Sequence, residues 1–238
     1  MEELYALIEQ CGLGKIEGHI LPVSGGLMHR MFKVQTTTGT YAVKRLNPEI
    51  MSRPDAMKNY SEAERLERIL EENGIPIVAA LSFGDKKMVS LSGKYYYIFS
   101  WNEGKITDFN NITSKQCYIA GEILGRIHSI DAKNVSPEEP ILCNMDFAAL
   151  LENAKAKDSV IAPLLEANML LLVESQNKLN EARKRLPAMR AISNDDMDPK
   201  NIMWHDGKAY VIDLECLGYS NPISSCLDLS LQWAGTVN

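Results

Sequence analysis

The sequence lacks the cysteine patterns that hold metal ions or cross-link small secreted domains. Its five cysteines contain no C-x-x-C pair and are odd in number: Cys11, Cys117, Cys143, Cys216 and Cys226. Zinc sites need closely spaced cysteines, and a disulfide framework needs an even set of them. We therefore expect reduced thiols in a cytoplasmic protein.

Positive charge is also scarce, since 25 Lys and Arg face 31 Asp and Glu and the net charge is -6. A protein that neutralises a phosphate backbone needs a basic stripe, so nucleic acid is not an expected partner. No signal peptide is recognisable at the N-terminus, and the most apolar stretch, residues 161–173, is interrupted by Glu166 and Asn168. The sequence therefore predicts no membrane span.

The remaining composition is that of an ordinary globular chain. Of the 238 residues, 45% are hydrophobic and 24% are charged, which suits one large domain or two lobes that share a core. Apolar periodicity and turn residues predict a first half made of a helix, three antiparallel strands, a second helix and three further strands. These elements are expected over residues 4–11, 20–23, 31–35, 40–46, 54–73, 76–83, 87–91 and 94–100.

The second half has a mainly helical pattern. Residues 113–116 fit a capping box that begins a helix, and Asp206 and Gly207 predict a tight hairpin. Further helices are expected over 146–154 and 164–185, and the hairpin strands over 202–204 and 209–212. We therefore expect a two-lobed α+β fold, with a small antiparallel-sheet lobe at residues 1–100 and a mainly helical large lobe at 101–238.

Oxygen-bearing side chains cluster near the predicted hairpin. Asp196 and Asn201 are five positions apart in one loop, and Asp213 follows the second hairpin strand. Such hard oxygen ligands suit Mg²⁺, which keeps substrate phosphates as part of its shell. Taken alone, the spacing is common, and a solvated acidic turn is the simpler interpretation.

The first half supplies a second set of candidate residues. Lys44 lies in the middle of an apolar strand, where its ammonium group needs an anion, and Glu64 on the next helix is a candidate partner. The simpler interpretation is an exposed lysine and an exposed glutamate. A glycine turn between two strands can offer backbone N–H groups to phosphate oxygens; its residues include Ser24, Gly25, Gly26 and His29.

Together these features form the parts of a phosphoryl-transfer enzyme. From about residue 20 to residue 233 the chain resembles the aminoglycoside phosphotransferase and choline kinase superfamily. Residues 194–204 resemble its loop "H-G-D-x-x-x-x-N-[VI]-[LM]", and residues 211–215 resemble its motif "I-D-[FWL]-[ED]". The resemblance implies a catalytic role for Asp196, Mg²⁺ ligation by Asn201 and Asp213, and phosphate binding by Lys44.

The resemblance also assigns two further parts of an ATP site. Glu64 precedes Pro76 by 12 residues, the spacing at which the family's lysine-pairing glutamate precedes its next strand. Residues 100–104 resemble the hinge between lobes, where backbone groups of Ser100 and Asn102 would bind adenine. We therefore expect ATP and Mg²⁺ as cofactors.

The resemblance implies an ATP-dependent kinase that phosphorylates a hydroxyl group of a small molecule, such as an aminoglycoside or an amino-alcohol. A protein kinase is disfavoured, because no Ala-Pro-Glu follows Asp213. A catalytically silent nucleotide-binding module is the other alternative, because Asn194 stands where the family has histidine. His128, at the end of a predicted helix, is interpreted as structural.

The chain ends soon after Asp213, where relatives continue through further helices, so we expect a truncated protein. A final helix is expected to begin at Asp228, with apolar residues on two faces. A helix of this kind needs burial on more than one side, which predicts self-association through it. The two faces carry Leu229 and Trp233, and Leu227, Leu231 and Ala234.

Overall fold

A computed structural model describes residues 2–23, 28–131 and 142–234 of the chain. The chain divides into two compact units. The first comprises Met1–Asp131, Ala191–Ser220 and Ser224–Asn238, and the second comprises Ala132–Arg190 and Asn221–Ile223. The lobe boundary near residue 101 stays a prediction.

The first unit contains a five-stranded antiparallel sheet with the spatial order β1-β2-β3-β5-β4. Its strands are β1 (Leu21–Val23), β2 (Arg30–Thr36), β3 (Gly39–Arg45), β4 (Val89–Leu91) and β5 (Lys94–Ser100). Helix α1 (Glu2–Gln10) packs against this sheet, because Leu7 shares one buried cluster with Val34, Val43 and Ile98. The predicted antiparallel meander of the first three strands is confirmed.

A long helix connects β3 to β4 along the chain. It is α3 (Ala56–Glu72), and a short helix that sequence analysis missed, α2 (Pro48–Met51), precedes it. Tyr60, Ala63, Leu66 and Leu70 are buried at helical spacing, as the sequence predicts. The chain leaves the helix through Gly74, whose φ of 64° favours glycine.

The strand predicted over residues 76–83 is wrong. Its backbone N–H groups donate to two different neighbours, Val78 to Val211 at 2.9 Å and Leu81 to Ile98 at 2.7 Å. Only two isolated bridges form here, a parallel one between Ile77 and Val211 and an antiparallel one between Phe83 and Lys86. Alternating apolar residues indicate that a segment is extended, but a strand also needs one continuous partner, which this segment lacks.

The predicted capping box at the start of helix α4 (Ser114–His128) is confirmed, with both reciprocal hydrogen bonds between Thr113 and Gln116. The segments before and after α4 supply the strands of two further sheets. The elements are β6 (Lys105–Ile106), a 3-10 turn (Phe109–Asn111), α4 (Ser114–His128), β7 (Ala191–Asn194), a 3-10 turn (Pro199–Asn201), β8 (Ile202–His205), β9 (Lys208–Val211), a 3-10 turn (Leu214–Cys216) and β10 (Leu217–Ser220). Strands β6, β8 and β9 form one sheet, and β7 pairs with β10. Asp206 and Gly207 turn the predicted β8–β9 hairpin with φ angles of 48° and 74°.

The second unit contains the two predicted helices, α5 (Phe147–Ala156) and α6 (Ala162–Lys184). Asn180 of α6 holds the chain that leads into α5, because its amide group exchanges two 2.8 Å hydrogen bonds with the backbone of Cys143. In the described part of the chain, no helix combines the length and the apolar character that a membrane span requires.

The last helix, α7 (Pro222–Trp233), begins at Pro222 and not at Asp228 as predicted. Proline is favoured at the first helical position, and the side chain of Asn221 accepts the N–H of Ile223 at 3.0 Å, so the stronger start signal lies upstream. Leu229 and Trp233 are buried on its inner face. The residues predicted on a separate face, Leu227 and Leu231, are exposed, and self-association through them stays a prediction.

A buried ion pair joins α3 to the chain before β4. Lys87 is only 1% exposed, and its ammonium group donates to Glu67 at 2.8 Å and also to Glu71. The carboxylate of Glu67 also accepts the N–H of Ala80 at 2.7 Å. Burial raises the pKa of Glu67, so its charge depends on the lysine.

We expect Lys87→Met to lower the free energy of unfolding by about 3–5 kcal/mol, because it leaves the charge of Glu67 buried without a cation. Adding Glu67→Gln, which keeps an acceptor for Ala80 and removes the charge, should recover part of the loss. Lys184→Met, in an exposed pair with Glu181, is the control and should change little. Denaturant titration measures all three, and an unchanged Lys87→Met would contradict the role of this pair.

Candidate active site

Lys44 is the centre of the candidate site. It lies in β3, is 7% exposed, and its Nζ donates to Oδ1 of Asp213 at 2.6 Å and to Oε2 of Glu215 at 2.9 Å. Burial alone would lower its pKa, but the two carboxylates outweigh that effect and raise the pKa of Lys44. The side chain is therefore held as a buried cation, as the sequence predicts, although its partners differ.

Glu64 makes other contacts than the predicted one with Lys44 in this structure, although both line one cavity, and their pairing in a nucleotide-bound site stays a prediction. The carboxylate of Glu64 accepts the backbone N–H of Met88 at 2.9 Å, that of Lys87 at 3.2 Å, and the hydroxyl of Tyr97 at 2.9 Å. These three donors satisfy Glu64 within its own helix–strand junction. The spacing along the sequence placed Glu64 near Lys44. It did not reveal that three other donors would hydrogen-bond to the carboxylate of Glu64.

Glu215 is the group that sequence analysis missed. Besides Lys44, it accepts Nε2 of His29 at 3.0 Å and the hydroxyl of Tyr60 at 3.2 Å. Burial favours the neutral carboxyl, but the hydrogen bond from His29 and the charge of Lys44 outweigh it and lower the pKa of Glu215 to about 2. The signal was present in the motif at 213–215, where only the aspartate was assigned a role.

His29 has both ring nitrogens bonded within the protein. Its Nδ1 accepts the backbone N–H of Asn47 at 3.0 Å, so Nε2 carries the proton that is donated to Glu215. The structure therefore places the His29 ring as a support for Glu215, and phosphate binding by backbone N–H groups of the predicted glycine turn stays a prediction. The rest of the predicted glycine turn, Ser24, Gly25 and Gly26, lies outside the described residues.

The β8–β9 hairpin brings together Asn201 and Asp213, and Asn201 in turn holds Asp196. Asn201 lies just before β8 and Asp213 follows β9. Because the two strands are antiparallel, both residues lie at the open end of the hairpin, which we call the hairpin edge. The N–H of Ile212 donates to the carbonyl oxygen of Asn201 at 2.9 Å and fixes this edge. Asn201 Nδ2 in turn donates to Oδ2 of Asp196 at 2.8 Å and to its carbonyl oxygen at 2.9 Å.

The two aspartates of this edge are in unusual environments. Asp213 has a left-handed backbone with φ 57° and ψ 65°, a conformation that costs energy in residues with a Cβ and is enriched at functional sites. Burial, helped by the charges of Asp198 and Asp213, raises the pKa of Asp196 against the lowering effects of Lys200 and Asn201. The site therefore contains a carboxylate with an altered affinity for protons.

The donors at the hairpin edge fit a magnesium ion. Asn201 and Asp213 offer amide and carboxylate oxygens, the donors that Mg²⁺ prefers, and Mg²⁺ takes its other ligands from water and phosphate. Across residues 2–23, 28–131 and 142–234, no three or more His, Cys, Asp or Glu side chains form a group that could hold a metal ion.

The predicted hinge follows β5. Ser100 ends that strand opposite Tyr41, and the side chain of Asn102 accepts the N–H of Gly104 at 2.8 Å. A Cβ on Gly104 would lie 2.3 Å from Cγ of Met203 in β8, so the turn needs glycine at this point. The binding of adenine by Ser100 and Asn102 stays a prediction.

A polar network lies beside the loop that carries Asp196. Nε2 of His128 lies 2.8 Å from the hydroxyl of Ser193, which donates to Ser225 at 2.9 Å, and Ser225 donates to Asp195 at 2.9 Å. Burial lowers the pKa of His128, and its structural role stays a prediction. Asn194 is 2% exposed, and neither polar atom of its amide has a partner in the described residues.

Comparisons with solved structures show the same fold in small-molecule kinases. One is spectinomycin phosphotransferase in complex with ADP and spectinomycin, with a TM-score of 0.69, 13% identity, and 100% of this chain and 80% of that chain covered. Another is an amicoumacin kinase in complex with AMP-PNP, Ca²⁺ and Ami, with a TM-score of 0.65 and 13% identity; the match covers 98% of this chain and 69% of that chain. A choline/ethanolamine kinase family protein from Mesorhizobium loti has a TM-score of 0.63 and 18% identity; the match covers 100% of this chain and 71% of that chain.

The predicted α+β, protein-kinase-like fold is confirmed by these similarities, whose low identities carry no conclusion about substrate. No curated protein matches the sequence significantly. A model of the phosphotransferase enzyme family matches residues 19–225, which is most of the chain. The chain therefore belongs to the phosphotransferase enzyme family.

Proposed function

We propose that this protein transfers the γ-phosphate of ATP to a hydroxyl group of a small molecule. The observation that carries the proposal is the contact of buried Lys44 with Asp213, which follows the β8–β9 hairpin that also positions Asn201 and Asp196. A buried cation, a carboxylate beside it and a second carboxylate in the adjoining loop are the groups that phosphoryl transfer requires.

The nucleotide is assigned from the charge of the site. Lys44 supplies a buried ammonium group for phosphate oxygens, and two of its three N–H donors are used by Asp213 and Glu215. Asn201 and Asp213 would hold Mg²⁺, which, when bound with ATP, neutralises charge on the transferring phosphate. The ADP and AMP-PNP in the complexes of two structural relatives support this assignment.

Asp196 is assigned the role of orienting the acceptor's hydroxyl group and accepting its proton. Its Oδ2 is held by Asn201 at 2.8 Å, whereas its Oδ1 lies 3.8 Å from Lys200, beyond hydrogen-bonding distance. Oδ1 therefore has the capacity to accept the hydroxyl proton while Oδ2 keeps the side chain oriented. Positioning of this kind, with charge stabilisation, accounts for most of the catalysis in phosphoryl transfer.

The acceptor is proposed to be a cationic alcohol, such as an aminoglycoside or an amino-alcohol. Asp195, Asp196 and Asp198 lie in one loop whose single lysine, Lys200, pairs with Asp198, so the loop keeps a net negative charge. The spectinomycin in the complex of one relative supports the same class. An anionic sugar would be repelled by this loop.

The test is ADP release from Mg-ATP over a panel of aminoglycosides, amino-alcohols and anionic sugars. We expect turnover with a cationic alcohol, and Asp196→Ala should lower kcat by about 10²–10⁴-fold while the affinity for Mg-ATP changes only a few fold. Binding of Mg-ATP without turnover of any acceptor would instead support the silent nucleotide-binding module. Turnover of an anionic sugar alone would contradict the acceptor class.

A second prediction concerns the candidate Mg²⁺ site of Asn201 and Asp213. Asp213→Asn should raise the Mg²⁺ concentration needed for half-maximal nucleotide binding, because it removes the carboxylate charge. Asp206→Asn is the matched control, since Asp206 also has a left-handed backbone, with φ 48°, but lies in the exposed hairpin turn. Titration calorimetry with Mg-ADP measures both, and equal effects would contradict a specific role of Asp213.

A further inference from the structure

Asp196 lies between two residues that are hydrogen-bonded to helix α7. On the preceding side, the carboxylate of Asp195 accepts the hydroxyl of Ser225 at 2.9 Å. On the following side, the carbonyl oxygen of Met197 accepts the indole N–H of Trp233 at 2.8 Å. Ser225 and Trp233 are both buried and lie eight positions apart, so they share one face of the helix. The inner face of α7 therefore holds the loop immediately before and immediately after Asp196.

The carboxylate of Asp195 is the end of a chain of hydrogen bonds. Its Oδ1 accepts the hydroxyl of Ser225 and, at 3.1 Å, that of Ser220. Ser225 in turn accepts the hydroxyl of Ser193 at 2.9 Å. Because the proton of Ser193 is used in this way, Nε2 of His128, 2.8 Å away, carries a proton and donates it to Ser193. A carboxylate only accepts, so the protons of this chain all point towards Asp195.

The local structure explains why the hydroxyl groups meet at this carboxylate. Ser193 and Asp195 are two positions apart at the end of β7, a spacing that places side chains on one face of a strand. Ser220 ends β10, the strand that pairs with β7. Ser193 and Ser225 are 1% and 4% exposed, whereas Asp195 is exposed. Buried hydroxyl groups from two elements thus converge on one charged acceptor at the start of the loop.

This acceptor is hard to replace within the structure. Without the carboxylate, the hydroxyl of Ser225 would turn to that of Ser220, 2.6 Å away, which is a neutral acceptor. Hydrogen bonds to a charged group are stronger than those between neutral groups. The remaining serine pair would also lack any bond to the loop. The carboxylate of Asp195 is therefore what connects this network to the backbone next to Asp196.

The neighbouring side chain does not provide the same restraint. Asn194 is 2% exposed, and neither polar atom of its amide has a hydrogen-bond partner among the described residues. Its amide fills space and applies no directional force to the loop. Directional support on this side of Asp196 comes instead from Asp195, through two hydrogen bonds to one oxygen atom.

We propose that Asp195 is a positioning residue for phosphoryl transfer. Its carboxylate, held by Ser220 and Ser225, fixes the backbone from which the side chain of Asp196 projects towards the acceptor hydroxyl. Asp195 itself contacts neither the nucleotide nor the acceptor. This inference rests on the proposed function, in which Asp196 orients the hydroxyl group and accepts its proton.

The first test compares Asp195→Ala with Asp195→Asn, using the aminoglycoside or amino-alcohol that the panel shows to be turned over fastest. Asp195→Ala should lower kcat about 10- to 100-fold and change the KM values for Mg-ATP and acceptor less than about threefold, because only the orientation of Asp196 is lost. Asp195→Asn should stay within about fivefold of the wild-type kcat, since its amide oxygen still accepts both hydroxyl groups.

Two outcomes of this comparison contradict the proposal. A raised KM for the acceptor with an unchanged kcat would mean that Asp195 binds the acceptor directly. An equal loss of kcat in Asp195→Asn and Asp195→Ala would mean that the charge of Asp195 acts, and not its hydrogen bonds.

A double-mutant cycle tests whether Ser225 acts through Asp195. Ser225→Ala should lower kcat about three- to tenfold in the wild type and have no further effect when combined with Asp195→Ala. Ser230→Ala is the matched control on the same helix, because Ser230 is exposed and bonds only to the carbonyl oxygen of Cys226 within α7; it should change kcat less than about twofold. Additive losses from Ser225→Ala and Asp195→Ala would show that the two residues act separately and would refute the proposal.

Amide hydrogen exchange without nucleotide or acceptor separates this inference from the proposed function. The peptide that covers residues 194–198 should exchange about tenfold faster in Asp195→Ala, whereas the peptide of α3 should be unchanged. Unchanged exchange at 194–198 would overturn the inference even if the enzyme is active, and faster exchange in α3 as well would replace the local role by a general one. Wild-type protein without turnover of any acceptor would remove the proposed function, and the exchange data would still decide whether Asp195 restrains the loop.

Discussion

The structure of the candidate site depends on the burial of one ammonium group. Lys44 is buried in a sheet whose core includes Val34, Val43 and Ile98, and such a charge is tolerated only with anionic partners. Those partners, Asp213 and Glu215, come from a segment about 170 residues later in the chain. The need to pair this charge therefore ties the sheet to the hairpin that carries the other polar residues of the site.

The carboxylates are in turn controlled by their own surroundings. Glu215 stays ionised against the effect of burial because His29 and Lys44 donate to it, whereas burial and the nearby charges of Asp198 and Asp213 raise the pKa of Asp196. The carboxylates of Glu215 and Asp196 thus have opposite tendencies to take up a proton. Environments that separate the pKa values of neighbouring acids are typical of sites where one acid binds and another exchanges protons.

Support for the loop of Asp196 comes from both of its sides. Asn201 bonds to it directly, and on the preceding side Asp195 accepts hydrogen bonds from Ser220 and Ser225. Asn194, at the position of the family's histidine, is buried without a hydrogen-bond partner among the described residues. The family match spans residues 19–225, so this departure lies inside the matched region and bears on how the loop is held.

Local patterns along the sequence determined most of the elements and the order of the site residues. The capping box at Thr113, the hairpin turn at Asp206 and the spacing from Asp196 to Asn201 each involve neighbours in the chain, and the structure agrees with all three. The partner of Lys44 was decided only by the tertiary structure. Several carboxylates are candidates in sequence, and the choice depends on which donors each of them meets once distant segments pack together, as the satisfied Glu64 shows.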